Sequence, residues 1–111
     1  MSYAVDQQLR NVFLGHLLEF QVYLAKAKIL LTADDIKELK FRLLVLLKDC
    51  YLIINLYEKE AEEREKKLEK IKEIENTVIN LPLIGDSLED IEVIYDQTIE
   101  VFNTYLFPKE T

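Results

Sequence analysis

The chain is poor in residues that break, staple or ligate. Its 111 residues include 2 Gly and 2 Pro, too few turn-formers for an all-β sandwich or barrel. With 1 Cys, an intramolecular disulfide is impossible. With 1 Cys and 1 His, one chain cannot assemble a Cys/His zinc site. The longest charge-free stretch is Asn76 to Gly85, whereas a membrane-spanning helix needs about 20 apolar residues. The opening residues, Met-Ser-Tyr-Ala-Val-Asp, lack the basic and apolar regions of a signal peptide. No Lys/Arg cluster suits an anionic lipid surface, and a formal charge of −7 repels phosphate. The expectation is a chain with no cofactor, no metal, no membrane and no direct nucleic-acid partner. The expected location is the cytoplasm, where Cys50 stays reduced.

What is present is apolar and charged in roughly helical measure: 50% hydrophobic residues and 32% charged. The charge is uneven. Residues 1–57 carry 7 basic and 6 acidic side chains, for +1. Residues 58–75 carry 6 and 8, for −2, and residues 76–111 carry 1 and 7, for −6.

Val5, Leu9, Val12, Phe13, Leu17, Phe20, Leu24, Ala27 and Leu31 fall on one face at 100° per residue, which predicts a first helix over residues 3–31. Gly15 inside it weakens the helix but permits close approach of a neighbour. Thr32 followed by Asp35 is a capping-box start for the next helix. Ile36, Leu39, Leu43, Leu46, Cys50, Ile53 and Tyr57 then recur at 3-4-3-4-3-4 spacing, and the seam continues through Ala61, Arg64, Leu68, Ile71, Ile74 and Val78. Neither Gly nor Pro stands between Gly15 and Pro82. One helix over 33–78 is therefore expected, roughly 69 Å long at 1.5 Å per residue. Pairs such as Glu60–Arg64 and Glu63–Lys67 are spaced to support it. Ser87, with Asp90 three residues on, marks the start of a last helix over 88–107. Its core face is Leu88, Ile91, Ile94, Tyr95, Thr98, Val101, Phe102 and Tyr105. Laid back along its predecessor, it puts Ile91 near Ile74, Tyr95 near Ile71 and Phe102 near Arg64. The fold class is thus all-α: long antiparallel hairpins of three helices, or four if the long helix breaks near 58–63, in one domain.

The feature above background is apolar residues on both faces of the first two helices. Opposite the core stripe lie Leu14, Leu18, Val22, Ala25 and Ile29, and on the second helix Phe41, Val45, Leu52 and Leu56. Folded antiparallel about Thr32, these stripes align into one second apolar surface. Burying such side chains is worth roughly 1.5–3 kcal/mol each, so a lone hairpin is not expected to leave them wet. The expected occupant is another copy, completing a helical bundle as a homodimer, a different protein, or the rest of this chain if the long helix breaks near 58–63 and folds back as a four-helix monomer. The chain then reads as a non-catalytic interaction module: an adaptor, assembly subunit or regulator.

Three candidate chemistries stand beside that reading. Leu9-Arg10-Asn11-Val12-Phe13-Leu14-Gly15-His16 resembles the Arg-polar-x-x-x-x-His element of HEPN-type ribonucleases. The resemblance implies a metal-independent ribonuclease, with His16 as general acid/base, Arg10 stabilising phosphate charge and Asn11 as polar companion. His16 within an acidic helical domain is also similar to histidine phosphotransfer domains, although Leu17, Leu18, Glu19 and Phe20 follow it where those domains place a Lys and a Gly. Glu62 with Glu65, and Glu89 with Glu92, are loosely similar to the E-x-x-E pairs of all-helical nucleotide pyrophosphohydrolases. The bland reading makes His16 a hydrogen-bonded packing residue and Cys50 a small buried one. The stripe of Glu89, Glu92, Asp96 and Glu100 reads as a solvated face, or as an acidic inhibitor surface for a basic protein.

Overall fold

The computed structural model describes residues 3–106, with side chains from Gln7 onward. Its elements are α1 (Tyr3–Ile29), α2 (Ala33–Tyr57), α3 (Ala61–Ile79) and α4 (Ser87–Tyr105), an up-down helical bundle measuring 46 × 27 × 24 Å. α2 is the hub, with α1, α3 and α4 each packing mainly on it. Its seam explains why. Ile36, Leu39, Leu43, Leu46, Cys50 and Ile53 are fully buried, and Leu47 and Ile54 extend the buried surface toward α3 and α4.

The first corner follows its local signals. Thr32 caps α2: its hydroxyl accepts from the Asp35 amide while the Asp35 carboxylate accepts from the Thr32 amide. The next corner takes the four-helix alternative, a break near 58–63, over the single helix of 33–78. The chain leaves α2 at Glu58 and re-enters helix at Ala61, with Glu58 and Glu60 extended. A helix of ~69 Å at 1.5 Å per residue has no place in a 46 Å molecule. The reason is burial. Folding back lays Leu68, Ile71 and Val78 onto the core, where a straight helix would leave them in water.

Side chains hold the break where no Gly or Pro does. The Glu58 carboxylate accepts from Lys67 Nζ at 2.9 Å and from the Tyr105 hydroxyl, and the Glu58 carbonyl accepts from Arg64 at 3.1 Å. The bonds from Tyr105 and Lys67 hold the Glu58 carboxyl down at about 2. The same cluster raises Lys67 to about 12. Arg64 and Lys67 thus turn to Glu58 rather than to the expected i,i−4 glutamates.

The last corner also differs in detail. Ser87 is the first residue of α4 rather than its cap, and its hydroxyl donates to the Pro82 carbonyl at 2.6 Å. Lys40 ties the loop down by donating to the carbonyls of Ile79 and Leu81. α4 buries Ile91, Ile94, Thr98 and Phe102 of its expected face. Tyr95 and Phe102, however, look toward α1. Tyr95 stacks on Phe20 at 4.6 Å and bonds Gln21, and Phe102 meets Phe13 at 6.4 Å. Ile71 instead lines a cleft with Thr98 and Val101 on the other edge of α4, because α4 sits between α1 and α3. Phe107, the expected end of the last helix, lies outside the described residues, as does the Val5 side chain.

Candidate interaction surface

α1 is a peripheral helix. Of its expected core face, Phe13, Phe20 and Ala27 are buried, Leu9, Leu17, Leu24 and Leu31 are partly covered, and Val12 is 51% exposed. Opposite them the second stripe is open. Leu18 is 62% exposed, Val22 53% and Ile29 87%, while Leu14 is half-buried. On α2, Phe41, Leu52 and Leu56 are exposed and Val45 is half-buried. The later helices of the chain leave this face uncovered.

A polar seam interrupts what the sequence reads as one continuous surface. Arg42 pairs with Glu19 at 2.8 Å and Glu38 at 3.2 Å, and its guanidinium lies over the Tyr23 ring. Helical spacing places Glu19 beside Leu18 and Arg42 beside Phe41, so the seam runs between the two stripes. The surface is two apolar ridges flanking an ion-paired valley. This network was legible only in part: the charges are visible in the sequence, their meeting is not.

His16 lies in the same valley. Its Nδ1 is 2.7 Å from Asp49 Oδ2, with the histidine side chain 33% and the aspartate 7% exposed. An ionised carboxylate only accepts, so His16 Nδ1 donates to Asp49 Oδ2. Burial pushes the Asp49 carboxyl up, and the bond to His16 opposes it. The sequence carried a signal for Asp49 that reading His16 alone missed. It stands three residues after Leu46 and four before Ile53, so the core spacing of α2 includes an acid that requires a partner. An imidazole oriented by a buried carboxylate is the base–orienter half of a catalytic triad. Among the described residues, Asp49 is its hydrogen-bond partner and no hydroxyl or thiol joins the pair. Arg10 and Asn11 are exposed.

Cys50 is not placed for such chemistry. Its Sγ faces the Thr98 carbonyl at 4.0 Å, and burial, with the neighbouring Asp49 charge, pushes the thiol up. Gly15 faces open space: among the described residues a Cβ there would meet nothing within 4 Å, so the close neighbour expected for it is not among them. The acidic stripe is a solvated edge, with Glu89, Asp96 and Glu100 exposed and Glu92 reaching Lys28 at 3.5 Å. Among the described residues no group of three or more His, Cys, Asp or Glu side chains could hold a metal ion. Among them, too, no helix is long and apolar enough to cross a membrane.

Two further features escaped the sequence. A cleft of about 320 Å³ opens between α3 and α4, floored by Leu47, Ile54, Ile71 and Val101 and edged by Lys67 and Lys70. At one end of the bundle, Leu30, Ile79, Leu83 and Ile84 are exposed. A Cβ on Gly85 would stand 3.2 Å from Leu31 Cδ2, so the loop before α4 lies close to the turn before α2.

No family model matches this chain, no curated protein is significantly similar to it, and no solved structure matches it.

Proposed function

We propose that this chain is a non-catalytic, cytoplasmic helical module for protein–protein interaction, docking through the apolar ridges of the α1–α2 hairpin. One observation carries the reading: Leu18, Val22, Ile29, Phe41, Leu52 and Leu56 are all about half exposed or more, although the chain has three other helices with which to cover each ridge. Isolated apolar residues on a surface are ordinary, but ridges of them on adjacent helices mark a binding face. The ion-paired valley supplies polar contacts that fix orientation, as a polar element does within an apolar interface. Direct contact with nucleic acid or lipid is not part of the reading, because the acidic surface opposes both.

The test is native mass spectrometry of the tagged chain recovered from the cells that make it. A Leu18→Glu/Phe41→Glu variant should keep its helical circular dichroism and lose every complex formed by the wild type. A folded variant that retains those complexes places the interface elsewhere and ends the reading.

A second reading rests on the His16–Asp49 pair. An oriented imidazole six residues after Arg10 keeps a HEPN-like ribonuclease activity as the alternative. His16→Ala should then abolish RNA cleavage by the purified protein. An uncleaved RNA with the wild type removes this alternative.

A further inference from the structure

We propose that the occupant of the α1 ridge is a second copy of this chain, docked antiparallel about a two-fold axis between Leu18 and Val22. The proposal names the partner for the docking face above and rests on that reading. Three observations favour this occupant.

The first is area. The six exposed ridge residues present on the order of 600 Å² of apolar surface, against about 800 Å² per partner in a standard interface. Half-buried Leu14 and Val45, with exposed Asn11 and Ala25, lie among them and can supply the remainder. The face is the right size for one hairpin to cover another.

The second is charge. Residues 1–57 sum to +1, whereas residues 58–111 carry 7 basic and 15 acidic side chains, for −8. Two copies meeting through the second half would set like charge against like; through the hairpin they meet near neutrality. The α1 ridge itself is uncharged along its length. Asn11, Leu14, Leu18, Val22, Ala25 and Ile29 follow at 3-4-4-3-4 spacing, so burying it strands no ion.

The third is Gly15. A helical glycine weakens its helix, and this one gains no packing among the described residues, because its Cβ position faces open space there. It lies on the edge of the same ridge. A two-fold axis between Leu18 and Val22 sets Gly15 of one copy opposite Ala25 of the other and Leu18 opposite Val22. Small residues facing each other let the helix backbones approach closely, the contact that the glycine permits and that no described residue of its own chain makes.

The experiment is light scattering on the purified chain at micromolar concentration. The wild type should weigh twice its 13.1 kDa, and Leu18→Lys should weigh 13.1 kDa with its helical circular dichroism kept. Independently, mixing Leu18→Cys chains with Val22→Cys chains under mild oxidation should form the mixed disulfide in preference to either self-pair. A wild type of 13.1 kDa throughout, a folded Leu18→Lys that stays double, or no preference for the mixed disulfide each overturns the proposal. If Leu18→Lys does not fold, the disulfide result decides. A monomeric wild type whose cellular complexes are still lost in Leu18→Glu/Phe41→Glu ends self-association and leaves the docking reading standing. A dimer and cellular complexes that both survive those changes end both.

Discussion

α1 and α2 are alike in length and apolar content and opposites in the fold. They have 27 and 25 residues, and both carry apolar side chains on more than one face. α2 buries nine residues, because α1, α3 and α4 surround it. α1 buries Phe13, Phe20 and Ala27 among the described residues, because its main contact is α2 and no described residue covers its outer ridge. Apolar content states how much surface a helix wants covered. Position in the bundle determines how much is covered, and the difference in α1 is what remains for a partner.

That contrast can be broken or sharpened by measurement. The largest effect belongs to the hub. Leu46 is fully buried, so Leu46→Ala should cost about 2–5 kcal/mol in urea unfolding. A loss below about 1 kcal/mol would mean that α2 is not the packed centre. Next is the polar joint between the two helices. His16→Ala leaves the Asp49 carboxylate buried without its partner and should cost about 1–3 kcal/mol. The burial that raises Asp49 adds a signed pH effect. A carboxyl with a raised folded value binds its proton more tightly when folded, so its ionisation costs stability as pH rises above its usual range of about 4. Removing His16 should steepen that loss.

A gain of about 1 kcal/mol is expected on the outside of α1. Gly15→Ala restores helix propensity, and its methyl enters open space. Unchanged or lower stability of the monomeric chain would show that Gly15 has a neighbour within it. Smaller still is Leu18→Ser, which should move the stability of the monomeric fold by no more than about 0.5 kcal/mol, since 62% of Leu18 is already exposed. The narrowest effect is confined to acid, at the end of α2. With Glu58 held at about 2 against an ordinary 4.5, its contribution is complete above pH 4.5 and is lost as pH falls toward 2. Glu58→Gln should flatten that limb of an acid titration followed by circular dichroism. An unchanged limb would mean that the corner is held by something else.

Local signals with local consequences were readable in advance. The Thr32–Asp35 capping box appears as written, since a cap needs only residues three apart. The α2 seam and the α4 face were equally plain, because period and burial coincide wherever a helix has neighbours. The corner at Glu58 was not plain. It depends on Tyr105, 47 residues away, and on the reward of burying Leu68 and Ile71, which no local pattern states. The ridges were legible as apolar stripes. The Arg42–Glu19 ion pair that parts them was not, since it joins residues 23 apart across two helices.

The sequence by itself determined an all-helical chain, the place of its first turn, its near-neutral hairpin and its acidic remainder. These follow from periodicity, capping and charge, which are properties of short stretches. Only the tertiary structure decided that the long helix bends, that α2 becomes the hub and that α1 keeps an uncovered ridge. Those outcomes turn on which apolar surfaces find each other first within one finite core, a competition among distant segments.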